Sequence, residues 1–138
     1  AIFYDLSSLK AHPIEVARMS DPAAHLHDRD FSSDRPGRSY ESFGKARHAI
    51  AGENDPRRRE AVKFAKAIAT RLDQDRRKKE YEQLIVVAAA PFRSLLHTEF
   101  STDTTASIVH EVPKDLVHSP VEVLRDHLPT TAQELKSA

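Results

Sequence analysis

The stretch "LIVVAAAPFRSLLHTEFSTDTTASIVHEV" (residues 84–112) decides the fold, because its hydrophobic pattern changes twice. Residues 84–90 are a continuous apolar run that ends at a proline, which is typical of a central strand buried on both faces. The segment "PFRSLLHTEF" (91–100) predicts a short helix, and residues 105–112 alternate as a strand does. A strand, a helix and a second strand in this order predict a β-α-β unit.

The segments on either side extend this alternation. Asp55 followed by Pro56 predicts the capped start of a long helix. Its apolar stripe consists of Ala61, Phe64, Ala65, Ile68, Ala69 and Leu72. A further helix is predicted after Ser119-Pro120, and "AIFYDL" (1–6) with "IEVARM" (14–19) predicts a β-hairpin. We therefore predict an α/β fold, a layered sandwich in which helices flank a mixed β-sheet.

The composition describes one soluble globular domain that covers residues 1–138. Hydrophobic residues make up 39% of the chain and charged residues 30%. No apolar run approaches the roughly 20 residues of a membrane span. The chain has no cysteine, which excludes disulfides and thiolate metal sites and is compatible with a cytoplasmic location. Because the sequence opens directly on "AIFYDL" without a methionine, we expect the natural N-terminus to lie before residue 1, and a signal peptide stays open.

Charge is unevenly distributed although the net charge is zero. Residues 27–80 contain 15 Lys and Arg against 10 Asp and Glu, whereas the remaining residues contain 6 against 11. This asymmetry predicts a basic side that faces a polyanion. A solvated helix face explains the same asymmetry equally well.

Residues 20–55 contain prolines and glycines and keep neither a strand nor a helix period. Connections longer than about 12–15 residues are usually functional or disordered, so we predict a functional loop. Its candidate nucleic-acid-binding residues are Arg35, Arg38, Tyr40, Phe43, Lys45, Arg47 and His48. Guanidinium groups suit phosphate, and aromatic rings stack on bases. The interleaved acids, such as Asp34 and Glu41, offer the arginines internal ion pairs instead, and both interpretations stand.

No known catalytic or metal motif is present. Two histidines in "HLHDRD" (25–30) would share one side of a strand, but no third ligand follows at a zinc-site spacing. The glycines match neither a P-loop nor a dinucleotide fingerprint, and there is no nucleophile elbow. We predict no metal, no cofactor and no catalytic residue. Hydrolysis of a peptidyl or aminoacyl ester by His48 or a loop serine is the least favoured hypothesis.

Three strings together carry a family resemblance: "HDRDFSSDRPGRSYESFGKARHAI" (27–50), "LIVVAAAPF" (84–92) and "VHEVPKDLVH" (109–118). They resemble the bacterial host-attachment family, whose members are named as required for attachment to host cells. The likeness runs from residue 1 to about residue 128. That family is similar to the central domain of archaeal and eukaryotic peptide-chain release factors. The resemblance implies an α/β sandwich whose long loop lies where release factors carry Gly-Gly-Gln.

The chain departs from release factors at this motif, since Pro36-Gly37-Arg38 is its nearest match. Proline removes backbone flexibility and an amide donor, which argues against peptide release. The leading hypothesis is a non-enzymatic domain associated with RNA or the ribosome, with the ribosome or tRNA as its partner. The alternative is a protein that promotes bacterial attachment to host cells, which would place it at the cell surface. The resemblance also implies an opening strand just before residue 1, and the sheet position that it leaves empty would favour a homo-oligomer formed through an edge strand.

Overall fold

A computed structural model of the protein describes residues 1–21 and 55–135. The strands in these ranges are β1 (Ile2–Asp5), β2 (Ile14–Arg18), β3 (Leu84–Val87) and β4 (Ile108–Val112). The helices are α1 (Pro56–Arg77), α2 (Phe92–Glu99), α3 (Thr102–Ser107), α4 (Val121–His127) and a 3-10 helix over Ala132–Glu134. The predicted mixture of helices and strands is therefore confirmed. The chain divides into two compact units, Ala1–Met19 with Ala65–Ala138, and Ser20–Phe64.

The predicted N-terminal hairpin is confirmed. Strands β1 and β2 pair in an antiparallel ladder, with Phe3 opposite Ala17 and Tyr4 opposite Glu15. Val16 has no opposite residue in this register, so it forms a β-bulge in β2. The ring of Phe3 lies under the guanidinium of Arg71 in α1, at 5.2 Å from its carbon to the ring centroid. This cation–π contact attaches one face of the hairpin to the long helix.

The predicted β-α-β unit is present as a parallel pair, β3 and β4, connected through α2 and α3. Its second strand begins later than the alternation predicts, because residues 105–107 belong to α3. Ser101 explains the difference: its Oγ accepts a hydrogen bond from the Thr104 backbone N–H at 3.1 Å and caps the helix. Thr104 is fully buried, so this short helix is anchored in the core.

The prediction of one mixed sheet is wrong for the part of the chain that the structure describes. There the strands form two separate two-stranded sheets, one antiparallel and one parallel. Of the residues in β3, Val86 is buried, whereas Leu84, Ile85 and Val87 are half-buried. An apolar run indicates that a strand needs cover, but it does not specify which element provides it. Here β4 is the strand paired with β3.

The long helix begins and packs as its sequence predicts. The Arg57 backbone N–H donates to Asp55 Oδ1 at 3.0 Å, which confirms Asp55 as the N-cap and Pro56 as the first helical residue. Four residues of the predicted stripe, Ala65, Ile68, Ala69 and Leu72, are buried. The other buried apolar residues of the described ranges are Val86, Leu96, Phe100, Val112 and Leu124. The core therefore lies along α1, β3, α2, β4 and α4.

Candidate functional site

A groove of about 520 Å³ lies on one face of the hairpin. The strands contribute Ile2, Tyr4, Glu15 and Arg18, and the segment that leads into α4 contributes the opposite wall. Ligand sites commonly have volumes of roughly 300–1,000 Å³, so the groove has the size of a binding site. It is open to solvent and combines apolar side chains with several polar groups.

The β-bulge gathers the polar side chains of the groove on one face. In a regular strand, Glu15 and Arg18 would point to opposite sides, because they are three positions apart. The unpaired Val16 shifts the register, so that Tyr4 lies opposite Glu15 and Ile2 lies opposite Arg18. Directly opposed residues of an antiparallel pair project from the same face. The bulge therefore brings an acid and a base together beside a tyrosine.

Glu15 and Arg18 form a bidentate ion pair. Arg18 Nε donates to Glu15 Oε2 and Arg18 Nη2 donates to Glu15 Oε1, each at 2.9 Å. Hydrogen bonding to the arginine lowers the pKa of Glu15, and the same bonds raise the pKa of Arg18, so both groups stay charged at neutral pH. Because 61% of the arginine side chain and 42% of the glutamate side chain are exposed, the pair adds little to stability. Its main effect is to orient two charged groups at the groove.

Two short turns position the opposite wall. The Val117 N–H donates to Asp115 Oδ1 at 3.3 Å, and the Ser119 N–H donates to the Leu116 carbonyl at 3.0 Å. Asp side chains commonly fold back onto the backbone two residues later in this way. The turns bring His118, Ser119 and Val117 to the rim of the groove.

Arg125 of α4 fastens this wall to the turn of the hairpin. Its Nη2 donates to the Leu9 carbonyl at 2.7 Å, and its Nη1 is 3.3 Å from the Ala11 carbonyl. A guanidinium can serve two carbonyls at once because its N–H groups form a fixed fork. The groove is therefore built from two chain segments that one side chain connects.

A second polar cluster lies at the C-terminal end of α1. Asp73 Oδ1 accepts hydrogen bonds from Arg76 Nη2 and Ser101 Oγ, both at 3.0 Å, and Arg77 Nη2 is 2.9 Å from Asp73 Oδ2. The bond from Arg76, followed by that from Ser101, lowers the pKa of Asp73. The arginines at this helix end are thus not a free cationic surface, because Arg71 also pairs with Asp75 at 2.9 Å. These contacts connect α1 to α3.

Tyr81 gives this end of α1 a measurable pH dependence. Its hydroxyl donates to the Leu72 carbonyl at 2.8 Å, and burial raises the pKa of Tyr81 above its ordinary value of 10.0. The folded state thus favours the protonated phenol, so its contribution to stability is complete below pH 10 and is lost as the pH rises through the raised pKa. We expect Tyr81→Phe to cost about 1 kcal/mol at pH 7 and to flatten the alkaline decline in unfolding free energy. Urea titrations between neutral and alkaline pH measure both effects, and an unchanged alkaline slope would contradict this assignment.

A third polar cluster joins α2 to β4. His97 Nε2 is 2.7 Å from Glu111 Oε1, and Arg93 Nη1 is 3.8 Å from the same oxygen. The Glu111 side chain is only 8% exposed, so the buried carboxylate holds the side chains of His97 and Arg93, both on one helix. A carboxylate that orients a histidine is useful in acid–base catalysis. However, no hydroxyl is hydrogen-bonded to His97 within residues 1–21 and 55–135, and we assign this cluster a structural role.

All the predicted nucleic-acid-binding residues lie outside the part of the chain that the structure describes: Arg35, Arg38, Tyr40, Phe43, Lys45, Arg47 and His48. Their contact with phosphate stays a prediction. The basic excess of residues 27–80 lies in a different place, because residues 27–54 contain five basic and five acidic residues. Residues 55–80 contain ten basic and five acidic residues, so α1 and the turn after it provide the whole basic excess.

The described ranges provide no group of three or more His, Asp or Glu residues that could hold a metal ion. Their helices also include none that is both long and apolar enough to cross a membrane.

Comparison with known proteins gives one family. Residues 1–128 of the 138 match the family described as "Protein required for attachment to host cells". No curated protein matches the chain, and no solved structure matches it. Because the match includes both strands of the hairpin, all the helices α1–α4 and both walls of the groove, it covers the whole candidate site. The chain therefore belongs to the family of proteins required for attachment to host cells.

Proposed function

We propose that this protein promotes the attachment of the bacterium that produces it to host cells. The family match over residues 1–128 carries the proposal. We further propose that the hairpin groove is the contact surface, and that the protein acts at the cell surface. The groove supports this because its ion pair is exposed and already oriented.

An exposed apolar residue in the lining of the groove supports a contact role. Val117 on the wall opposite the hairpin is 40% exposed. Large apolar side chains left exposed at a concave surface are found at interaction sites. A contact there would cover side chains that folding leaves in water.

The proposal is tested by attachment of bacteria to host cells. The gene is deleted and then restored as wild type, as Glu15→Ala/Arg18→Ala, or as the control Glu60→Ala/Lys63→Ala. The control removes from α1 a partly exposed ion pair with the same sequence spacing, in which Lys63 Nζ is 3.5 Å from Glu60 Oε1. We expect the deletion and the groove variant to lower the number of attached bacteria, while wild type and control restore it. Normal attachment by the deletion strain would contradict the attachment role.

The location of the protein gives an independent test. Surface labelling of intact cells with a reagent that does not cross membranes should modify the protein. Labelling seen only after lysis would instead agree with the cytoplasmic location that the composition predicts. In that case a direct contact with host cells would be ruled out.

We also propose, as a second candidate, that residues 20–55 contact RNA phosphates on the ribosome or tRNA. The arginines and aromatic rings of this segment favour it, and so does the resemblance to the release-factor central domain. The predicted oligomer through an edge strand and the ester hydrolysis by His48 also stay predictions.

Co-sedimentation with ribosomes and with tRNA across a salt series tests the second candidate. Each lost phosphate contact lowers the salt slope by about one, so Arg38→Glu/Arg47→Glu should lower it by about two. Lys10→Glu/Lys114→Glu makes the same charge change at two exposed positions elsewhere and should have a smaller effect. Absence of binding at low salt would remove the RNA hypothesis.

A further inference from the structure

The charges of the groove select against charged ligands. Glu15 and Arg18 lie side by side, so the two formal charges cancel over a distance of 2.9 Å. An anion that approaches Arg18 also meets the carboxylate, and a cation that approaches Glu15 also meets the guanidinium. A neutral ligand avoids both repulsions, so the pair favours polar groups without formal charge.

The same pair presents donors and acceptors next to each other. Arg18 uses Nε and Nη2 in the ion pair, which leaves its other N–H groups to donate. Each oxygen of Glu15 keeps a lone pair that can accept. Tyr4 and Ser119 add hydroxyl groups, which both donate and accept. The ligand group that best satisfies such a surface is one that also does both, namely a hydroxyl.

Apolar side chains provide most of the remaining lining, next to His118. Ile2, Val117 and Val121 lie in the groove together with the ring of Tyr4. Pyranose rings have faces made of C–H groups, which pack against aliphatic and aromatic side chains, while their hydroxyls point outward. The groove is open to solvent, so a chain of such rings can lie across it.

We propose that the hairpin groove binds a neutral oligosaccharide, whose hydroxyls pair with Arg18 and Glu15 and whose ring packs on Tyr4. The proposal rests on the attachment function, for which it names the class of host ligand.

Hexasaccharides of equal length and different charge test the proposal by calorimetry with the full chain. Cellohexaose, mannohexaose and xylohexaose are neutral, hexagalacturonate is anionic and the chitosan hexamer is cationic. We expect at least one neutral hexamer to bind more tightly than both charged ones. Preference for a charged hexamer, or no binding of any neutral hexamer at millimolar concentration, would overturn the proposal.

Variants locate the binding in the groove. We expect Glu15→Ala/Arg18→Ala to lower the affinity for the neutral hexamer by about tenfold or more, because the variant loses charge-assisted hydrogen bonds to it. The control Glu60→Ala/Lys63→Ala should bind as wild type does. Glu15→Gln keeps the shape but removes the negative charge, so it should gain affinity for hexagalacturonate. Equal affinities of the wild type and the groove variant would place the sugar elsewhere and overturn the proposal.

Two further controls make the outcome unambiguous. Thermal melting shows whether each variant is folded. If the double alanine variant is unstable, Tyr4→Phe/Ser119→Ala replaces it, because this variant removes two hydroxyls of the groove without any change of charge. Sugar binding that fails while groove variants still lose attachment would remove the oligosaccharide and leave the attachment function in place. If the protein binds the sugar but the deletion strain attaches normally, the attachment function is removed and the oligosaccharide site stays in place.

Discussion

Ile68→Ala is expected to lower the free energy of unfolding by about 2–5 kcal/mol, the range for a large aliphatic residue truncated in a core. Ile68 is 5% exposed and lies on the buried stripe of α1 with Ala65, Ala69 and Leu72. Two of these neighbours are alanines, which have no longer side chain that can move into the space. The variant therefore leaves a cavity beside the main helix of the core.

Urea unfolding followed by circular dichroism measures this effect. Thr70→Ala is the matched control, because Thr70 is exposed on the same helix and alanine is the better helix former. We expect the control to change stability by less than about 0.5 kcal/mol. A loss below about 1 kcal/mol for Ile68→Ala would show that the helix is not packed along this stripe.

Arg125→Ala is expected to cost about 1–3 kcal/mol and to impair binding in the groove. The variant removes the donors of the Leu9 and Ala11 carbonyls, which both belong to the hairpin turn. The segment that forms the opposite wall then loses two hydrogen bonds to the hairpin turn. The loss of stability has a local component, so amide exchange in the hairpin should accelerate more than exchange in β3 and β4.

Arg125→Lys separates charge from geometry. Lysine keeps the positive charge but lacks the planar fork that reaches two carbonyls. We expect Arg125→Lys to recover only part of the stability and of the binding. Full recovery would mean that charge alone holds the wall in place, contrary to the two hydrogen bonds described above.

Local sequence signals predicted much of the fold. Asp55-Pro56 predicted the start of α1, and the spacing of Ile68 and Leu72 predicted its buried face, because both depend on neighbours within one or two helical turns. The hairpin and the β-α-β order were also predicted from local patterns. The separation into two small sheets was not, since strand neighbours depend on contacts between distant segments.

The candidate site was the part that sequence patterns missed. A period of two places Glu15 and Arg18 on opposite faces, and no composition rule reveals a bulge at Val16. The wall residues His118 and Ser119 reach the groove through turns and through Arg125, which is more than 100 residues from the hairpin turn. Residue types alone instead drew attention to the arginines of residues 20–55, which lie outside the described ranges.

The bulge has a consequence for how this protein can change over evolutionary time. Val16 adds no buried contact, since it is 62% exposed, and it is the residue that the ladder leaves without an opposite partner. Deletion of its codon would place Glu15 and Arg18 two positions apart in a regular strand, so both side chains would still project from the face of the groove. The strand can therefore lose this residue during evolution without separating the two charges.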